Sequence, residues 1–181
     1  DGSFVSFAGA TLSQGTLGQP QAGTTTYDLG EATVGAVQFE GSTDAPLYEY
    51  IQVYRTRFDG FDFNDDDGLD AEVVEYEIHG VSANARAAIP PSHERTFSPT
   101  DLWVTYLYAK NGADDAGDNV GAGKFFYREM VYRRHAHWAR MRTPDSRPLG
   151  VRVRDFTKWG RSLLLSGVTG YGEHPDRVIY T

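Results

Sequence analysis

The chain has 181 residues, 40% of them hydrophobic, and a net charge of −8, which suits one domain with a core of its own. It has no cysteine, which excludes disulfide staples, thiolate metal sites and cysteine nucleophiles. No stretch approaches the roughly 20 apolar residues of a membrane-spanning helix, and the opening DGSFVSFAGA lacks the basic leader and apolar run of a signal peptide. The absence of Met at position 1 leads us to expect a trimmed chain.

Arginine outnumbers lysine 14 to 3, and aspartate outnumbers glutamate 16 to 9. GC-rich coding accounts for an arginine excess. An Asp-rich, Lys-poor, Cys-free surface is also what halophilic proteins carry, because a hydrated negative shell resists salting-out. The charges are segregated: residues 1–123 hold 5 basic and 20 acidic side chains, residues 124–161 hold 11 and 3, and residues 162–181 hold 1 and 2. An acidic body with one basic segment points to complementary contact, within the subunit, between copies, or with phosphates.

In chain order, SFVSFAG (3–9) reads as a strand, and the polar stretch TLSQGTLGQPQAGTTT (11–26) as an extended loop, so that 1–26 forms a partly extended N-terminal arm. ATVGAVQFEG (32–41) and LYEYIQVYRTRF (47–58) follow as strands. In the second, Tyr48, Tyr50, Gln52 and Tyr54 alternate with Leu47, Glu49, Ile51 and Val53. AEVVEYEIHG (71–80) alternates likewise, DLWVTYLYAK (101–110) reads as the clearest strand, and NGADDAGDNVGAG (111–123) as a long surface loop.

KFFYREMVYRRHAHWARMR (124–142) is ambiguous. Its Met, Arg and Ala content fits a helix, whereas its Phe, Tyr and Val content and the period-2 spacing of Met130, Tyr132, Arg134, Ala136 and Trp138 fit a strand, the reading we prefer. GVRVRDF (150–156), RSLLLSGVTG (161–170) and RVIYT (177–181) complete about eight strands. The pattern predicts an all-β fold, a single jelly-roll β-sandwich or barrel spanning 1–181, with no internal repeat.

Two candidate metal sites arise. DGFDFNDDDGLD (59–70) holds six aspartates, yet in either register it fails the helix–loop–helix calcium template. Asp62, Asp65, Asp66 and Asp67 remain weak candidates for a hard cation, and the stretch reads first as a hydrated turn of a hairpin joining 47–58 to 71–79. His135 and His137, two apart on the expected strand, would share a face and a metal, with His79, His93 or His174 as a third ligand. The neighbouring Arg133, Arg134 and Arg140 oppose a divalent cation there. No nucleophile elbow and no phosphate loop is present; GAGK (121–124) lacks the required spacing. We therefore expect no catalytic residue, no resident metal and no cofactor.

The basic residues Arg128, Arg133, Arg134, Arg140, Arg152 and Arg154, with Trp138, are the expected interface. The stretch from Arg128 to Arg161, interleaved with Tyr132, Trp138 and Trp159, has the composition of a nucleic-acid surface. The net charge of −8 argues against a specific nucleic-acid partner.

A Cys-free, Asp-rich and Arg-rich single β-barrel of this size resembles the small major capsid protein of the icosahedral, internal-membrane viruses of haloarchaea, the sphaerolipovirus group. The resemblance covers the whole chain and is carried by size, strand spacing and composition. It implies a virion structural protein that assembles with itself and with a second, larger capsid protein into capsomers near a viral membrane. Two alternatives stay open. One is a secreted carbohydrate-binding or adhesive β-sandwich using Tyr48, Tyr50, Trp103 or Trp159 as stacking platforms. The other is a cupin-like metalloenzyme built on His135 and His137.

Overall fold

In a computed structural model of the chain, the residues described are 2–40, 47–61, 63, 78–142, 157 and 160. The fold is mixed α/β, not the expected all-β jelly roll. Six strands precede three helices: β1 (Gly2–Ser6), β2 (Thr11–Gly18), β3 (Thr24–Asp28), β4 (Thr33–Glu40), β5 (Ile51–Gln52) and β6 (Arg57–Phe58), then α1 (Ala83–Ala88), α2 (Pro99–Ala116) and α3 (Asn119–Arg142). The strands form two three-stranded sheets, ordered β1-β3-β5 and β2-β4-β6, in which every pairing is parallel.

Parallel neighbours need a crossover of a dozen or so residues. Here each crossover is the strand of the opposite sheet, so the chain winds as a solenoid. Gly2 pairs with Thr24 and Thr11 with Thr33, 22 residues on; Tyr27 pairs with Ile51 and Thr33 with Arg57, 24 residues on. A structural repeat therefore exists that the sequence hides, because equivalent positions share geometry and not residue type. Successive coils bend at Gly9, Glu31 and Arg55, all left-handed, with φ of 72°, 59° and 50°. In that bend the N–H of Gly9 donates to the Gly30 carbonyl at 2.9 Å and the N–H of Glu31 to the Tyr54 carbonyl at 2.6 Å.

The core is a set of side-chain ladders between the two sheets. Leu12 stacks on Val34 and Val34 on Phe58, while Leu17 stacks on Phe39. At the same 24-residue step, Phe61 and Phe63 continue the positions of Val37 and Phe39, and Phe58, Phe61 and Phe63 form a cluster with centroids 4.7–5.4 Å apart. Across the coil, the Tyr27 hydroxyl donates to the Gly18 carbonyl at 2.7 Å and ties the sheets together.

Residues 11–26, expected as an open loop, thus hold β2 and the start of β3. Their polar composition misleads because a coil strand takes its hydrogen bonds from its neighbours and needs few inward apolar side chains. The expected strand 47–58 is broken into a 3-10 turn (Leu47–Tyr50) and the short β5 and β6.

The expected strand 101–110 is the heart of α2. Ser98 caps that helix with a reciprocal Ser98–Asp101 capping box, Pro99 takes the first turn and Gly117 ends it with φ 82°. Its buried residues Leu102, Thr105, Tyr106, Ala109, Gly112 and Ala113 follow helical spacing. The expected loop 111–123 is the end of α2, a tight turn and the start of α3, where Asp118 accepts from the Gly121 N–H at 2.8 Å. Residues 124–142, preferred as strand, are α3. The strand expected at 71–80 lies outside the described residues up to 77, and its end at 78–79 is turn; the strands expected at 150–156, 161–170 and 177–181 lie outside the described residues.

Candidate assembly interface

The two ends of the solenoid are treated differently. At the β6 end, α2 crosses the last coil so closely that a Cβ on Gly112 would lie 2.5 Å from Phe58 Cβ. Phe63 meets Phe125 of α3 at 4.9 Å between centroids, and Tyr106 is fully buried. Among the described residues the last bend has no further coil to bond. There the Arg55 N–H donates to Thr105 Oγ1 at 2.9 Å, so a hydroxyl of α2 stands where a carbonyl of the next coil would stand. The Arg55 guanidinium adds two bonds to Asp101 Oδ1, at 3.1 and 2.6 Å. Burial pushes the Asp101 carboxyl up, but its bonds from Ser98 and Arg55 outweigh that and hold it below the usual range.

At the β1 end nothing comparable exists among the described residues. β1 and β2 are the terminal strands of their sheets, and most of their residues are exposed. Val5 is 37% exposed, and Phe7, Leu12 and Leu17 are only partly buried against the core. The apolar interior therefore reaches the surface between two strand edges that no described strand pairs. Natural edges are usually blunted by Lys, Pro or inward charges. No charged side chain occurs from residue 2 to residue 27, and neither β1 nor β2 contains proline.

The polar clusters inside the fold are structural joints, although Arg95 Nε is buried without a hydrogen-bond acceptor among the described residues. Asp28, 0% exposed, accepts from the Gly30 N–H at 2.9 Å, Ser6 Oγ at 3.2 Å, Gln52 Nε2 at 3.2 Å and Arg95 Nη2 at 3.2 Å, with His93 Nδ1 at 3.6 Å. Burial raises its pKa, but the Gly30 amide, Arg95 and Gln52 prevail and keep it low. Ser6 bonds the carboxylate directly, so the group lacks the serine–histidine contact of a nucleophilic triad. It pins the segment around His93 and Arg95 to the outer face of the first sheet, where α1 also packs through the Ala85 carbonyl, which accepts from Thr26 Oγ1 at 3.3 Å.

His79 Nδ1 and the Tyr106 hydroxyl share a hydrogen bond of 2.7 Å, and Tyr132 stacks on Tyr106 at 5.4 Å. Glu129 is buried between α2 and α3 and accepts from Trp103 Nε1 at 3.3 Å, with burial raising its pKa.

The residues singled out from sequence fare differently. Asp62, Asp65, Asp66, Asp67, Arg152 and Arg154 lie outside the described residues, as does the hairpin expected around 59–70. His135 and His137 lie on α3, where two residues turn about 200° and send them to opposite sides, so the shared face required for one metal is lost. Among the described residues no group of three or more His, Asp or Glu is placed to hold a metal ion. Arg128, Arg133, Arg134, Trp138 and Arg140 also sit on α3. At 100° per residue they are distributed around the helix and form no single basic stripe. Arg133 is engaged internally, over the Trp103 ring at 5.3 Å and 3.9 Å from Glu129. Trp103 is therefore part of the helical cap, and no described helix is long and apolar enough to cross a membrane.

Sequence reasoning passed over β1 and β2 as a surface. The signal that marks them is the run of 26 residues without a charge, 2–27, in a chain of net charge −8. No protein family, curated protein or solved structure matches the chain.

Proposed function

We propose that the protein is a non-catalytic structural module that assembles by strand addition at the open end of a helix-capped β-solenoid. One observation carries this reading: the solenoid is closed by α2 and α3 at one end and, among the described residues, ends in two uncharged, exposed edge strands at the other. An edge that no described strand pairs, beside partly exposed Val5, Phe7, Leu12 and Leu17, offers both backbone hydrogen bonds and apolar area to an incoming pair of strands.

The jelly roll that supported a place in a capsomer is absent. The acidic, Lys-poor and Cys-free composition still favours a salty extracellular or virion setting, and a virion shell is the setting we propose on that ground. The basic residues of α3 contribute to holding the cap and are not the primary interface.

Backbone amide exchange tests the reading. As the assembly forms, amides of β1 and β2 gain protection while the exposed positions of α3 do not. Assembly that protects α3 and leaves β1 and β2 unchanged overturns it.

A further inference from the structure

Resting on that reading, we infer that the occupant of the open end is a second copy of the same chain, in a closed two-fold dimer with β1 against β1 and β2 against β2, both antiparallel. The helical cap removes the alternative of stacking copies head to tail. Such stacking needs both ends open, and Thr105 already fills the hydrogen-bond position at the far bend while Gly112 lies against Phe58. Copies that meet at the open end meet there with the same surface, which defines an isologous contact.

A two-fold axis along the common normal of the two sheets reverses strand direction and keeps each sheet in its own plane. Both edges are then paired at once, and the exposed ends of the Val5, Phe7, Leu12 and Leu17 ladders face their equivalents. Charge selects the same partner. Two chains of net charge −8 repel through most faces, but the stretch from residue 2 to residue 27 carries no charge, so identical edges approach without like charges directly opposed. Salt screens the remaining repulsion, so the dimer strengthens as ionic strength rises.

The experiment uses the full chain. Light scattering across a salt series gives twice the chain mass at high salt. Val5→Lys sets an inward charge at the open core and Thr16→Lys sets a charge on the exposed side of β2. Each weakens the dimer by about fivefold with an unchanged unfolding midpoint of the monomer; the two sites keep the test valid if one variant folds poorly. Because the chain has no cysteine, spin labels at Gln14→Cys and, separately, at Asp115→Cys on the cap report geometry directly. The distance between copies is short at 14 and long at 115.

A monomer under every condition overturns the inference, and protected β1 and β2 amides in that monomer would show that the edge is filled from within its own chain. A dimer with the short distance at 115 overturns both this inference and the proposed function. A larger oligomer abolished by Val5→Lys overturns the two-fold pairing but leaves open-end assembly standing.

Discussion

The first and third coils of the solenoid occupy equivalent positions but meet different neighbours. Leu12, Gly15 and Leu17 of the first coil correspond to Phe58, Phe61 and Phe63 of the third, by way of Val34, Val37 and Phe39. Side-chain volume rises toward the helices, where Tyr106, Ala109, Ala113 and Phe125 join the core, and falls toward the β1 end. A coil does not stabilise itself: its inner face is buried only between neighbours. Where helices cover a coil, large aromatics fill the space and the Thr105 hydroxyl substitutes for a missing carbonyl. Where nothing in the described chain covers it, small and polar residues limit the exposed apolar area.

The largest effect that sharpens this contrast is a core truncation at each end. Phe61→Ala removes a side chain that is 1% exposed and costs about 3–5 kcal/mol in denaturant unfolding. Leu12→Ala, measured in the monomer, costs much less because its site already meets solvent. Equal losses would mean that the open end is covered.

Next comes the mimicry of a further coil by α2. Thr105→Val keeps the shape of a fully buried residue and removes the acceptor of the Arg55 N–H, for a loss of about 1–3 kcal/mol. An unchanged unfolding midpoint would show that the Arg55–Asp101 contacts alone close that bend.

The smallest effects are those of pH. Asp28 and Asp101 have lowered pKa values, so their stabilisation is in full force above the ordinary carboxylate range, near pH 4, and is lost as pH falls through their folded values. Glu129 has the opposite sign: its raised pKa makes its contribution greatest below the ordinary Glu value and diminishing as pH rises through the folded one. Glu129→Gln should therefore flatten the neutral side of a stability–pH curve and leave the acid limb, which belongs to Asp28 and Asp101, in place. An acid limb that vanished with Glu129→Gln would refute that division.

Some of this was legible. The strand read at 3–9 overlaps β1 and that at 32–41 contains β4, where Val37 and Phe39 alternate with Gln38 and Glu40. The start of α2 was also written in the chain, as Ser98-Pro99-Thr100-Asp101, but the aromatic and β-branched run Trp103, Val104, Thr105, Tyr106 and Tyr108 favoured a strand by composition. In an almost continuous apolar run the period carries little information, so the capping residues were the better guide. For α3, Ala122, Phe125, Glu129 and Ala136 are buried at helical spacing, with a glutamate among them that no apolar pattern anticipates.

By itself the sequence determined the absence of thiol chemistry, the acidic shell, the segregation of charge and the uncharged N-terminal stretch, all of which follow from counting side chains. Only tertiary structure decided that Gly9, Glu31 and Arg55 are one position in three coils, since nothing local makes a glycine, a glutamate and an arginine equivalent. It likewise decided which edge is closed. The Thr105 hydroxyl meets the Arg55 amide from 50 residues away, a contact that exists only once the helices have folded across the last coil.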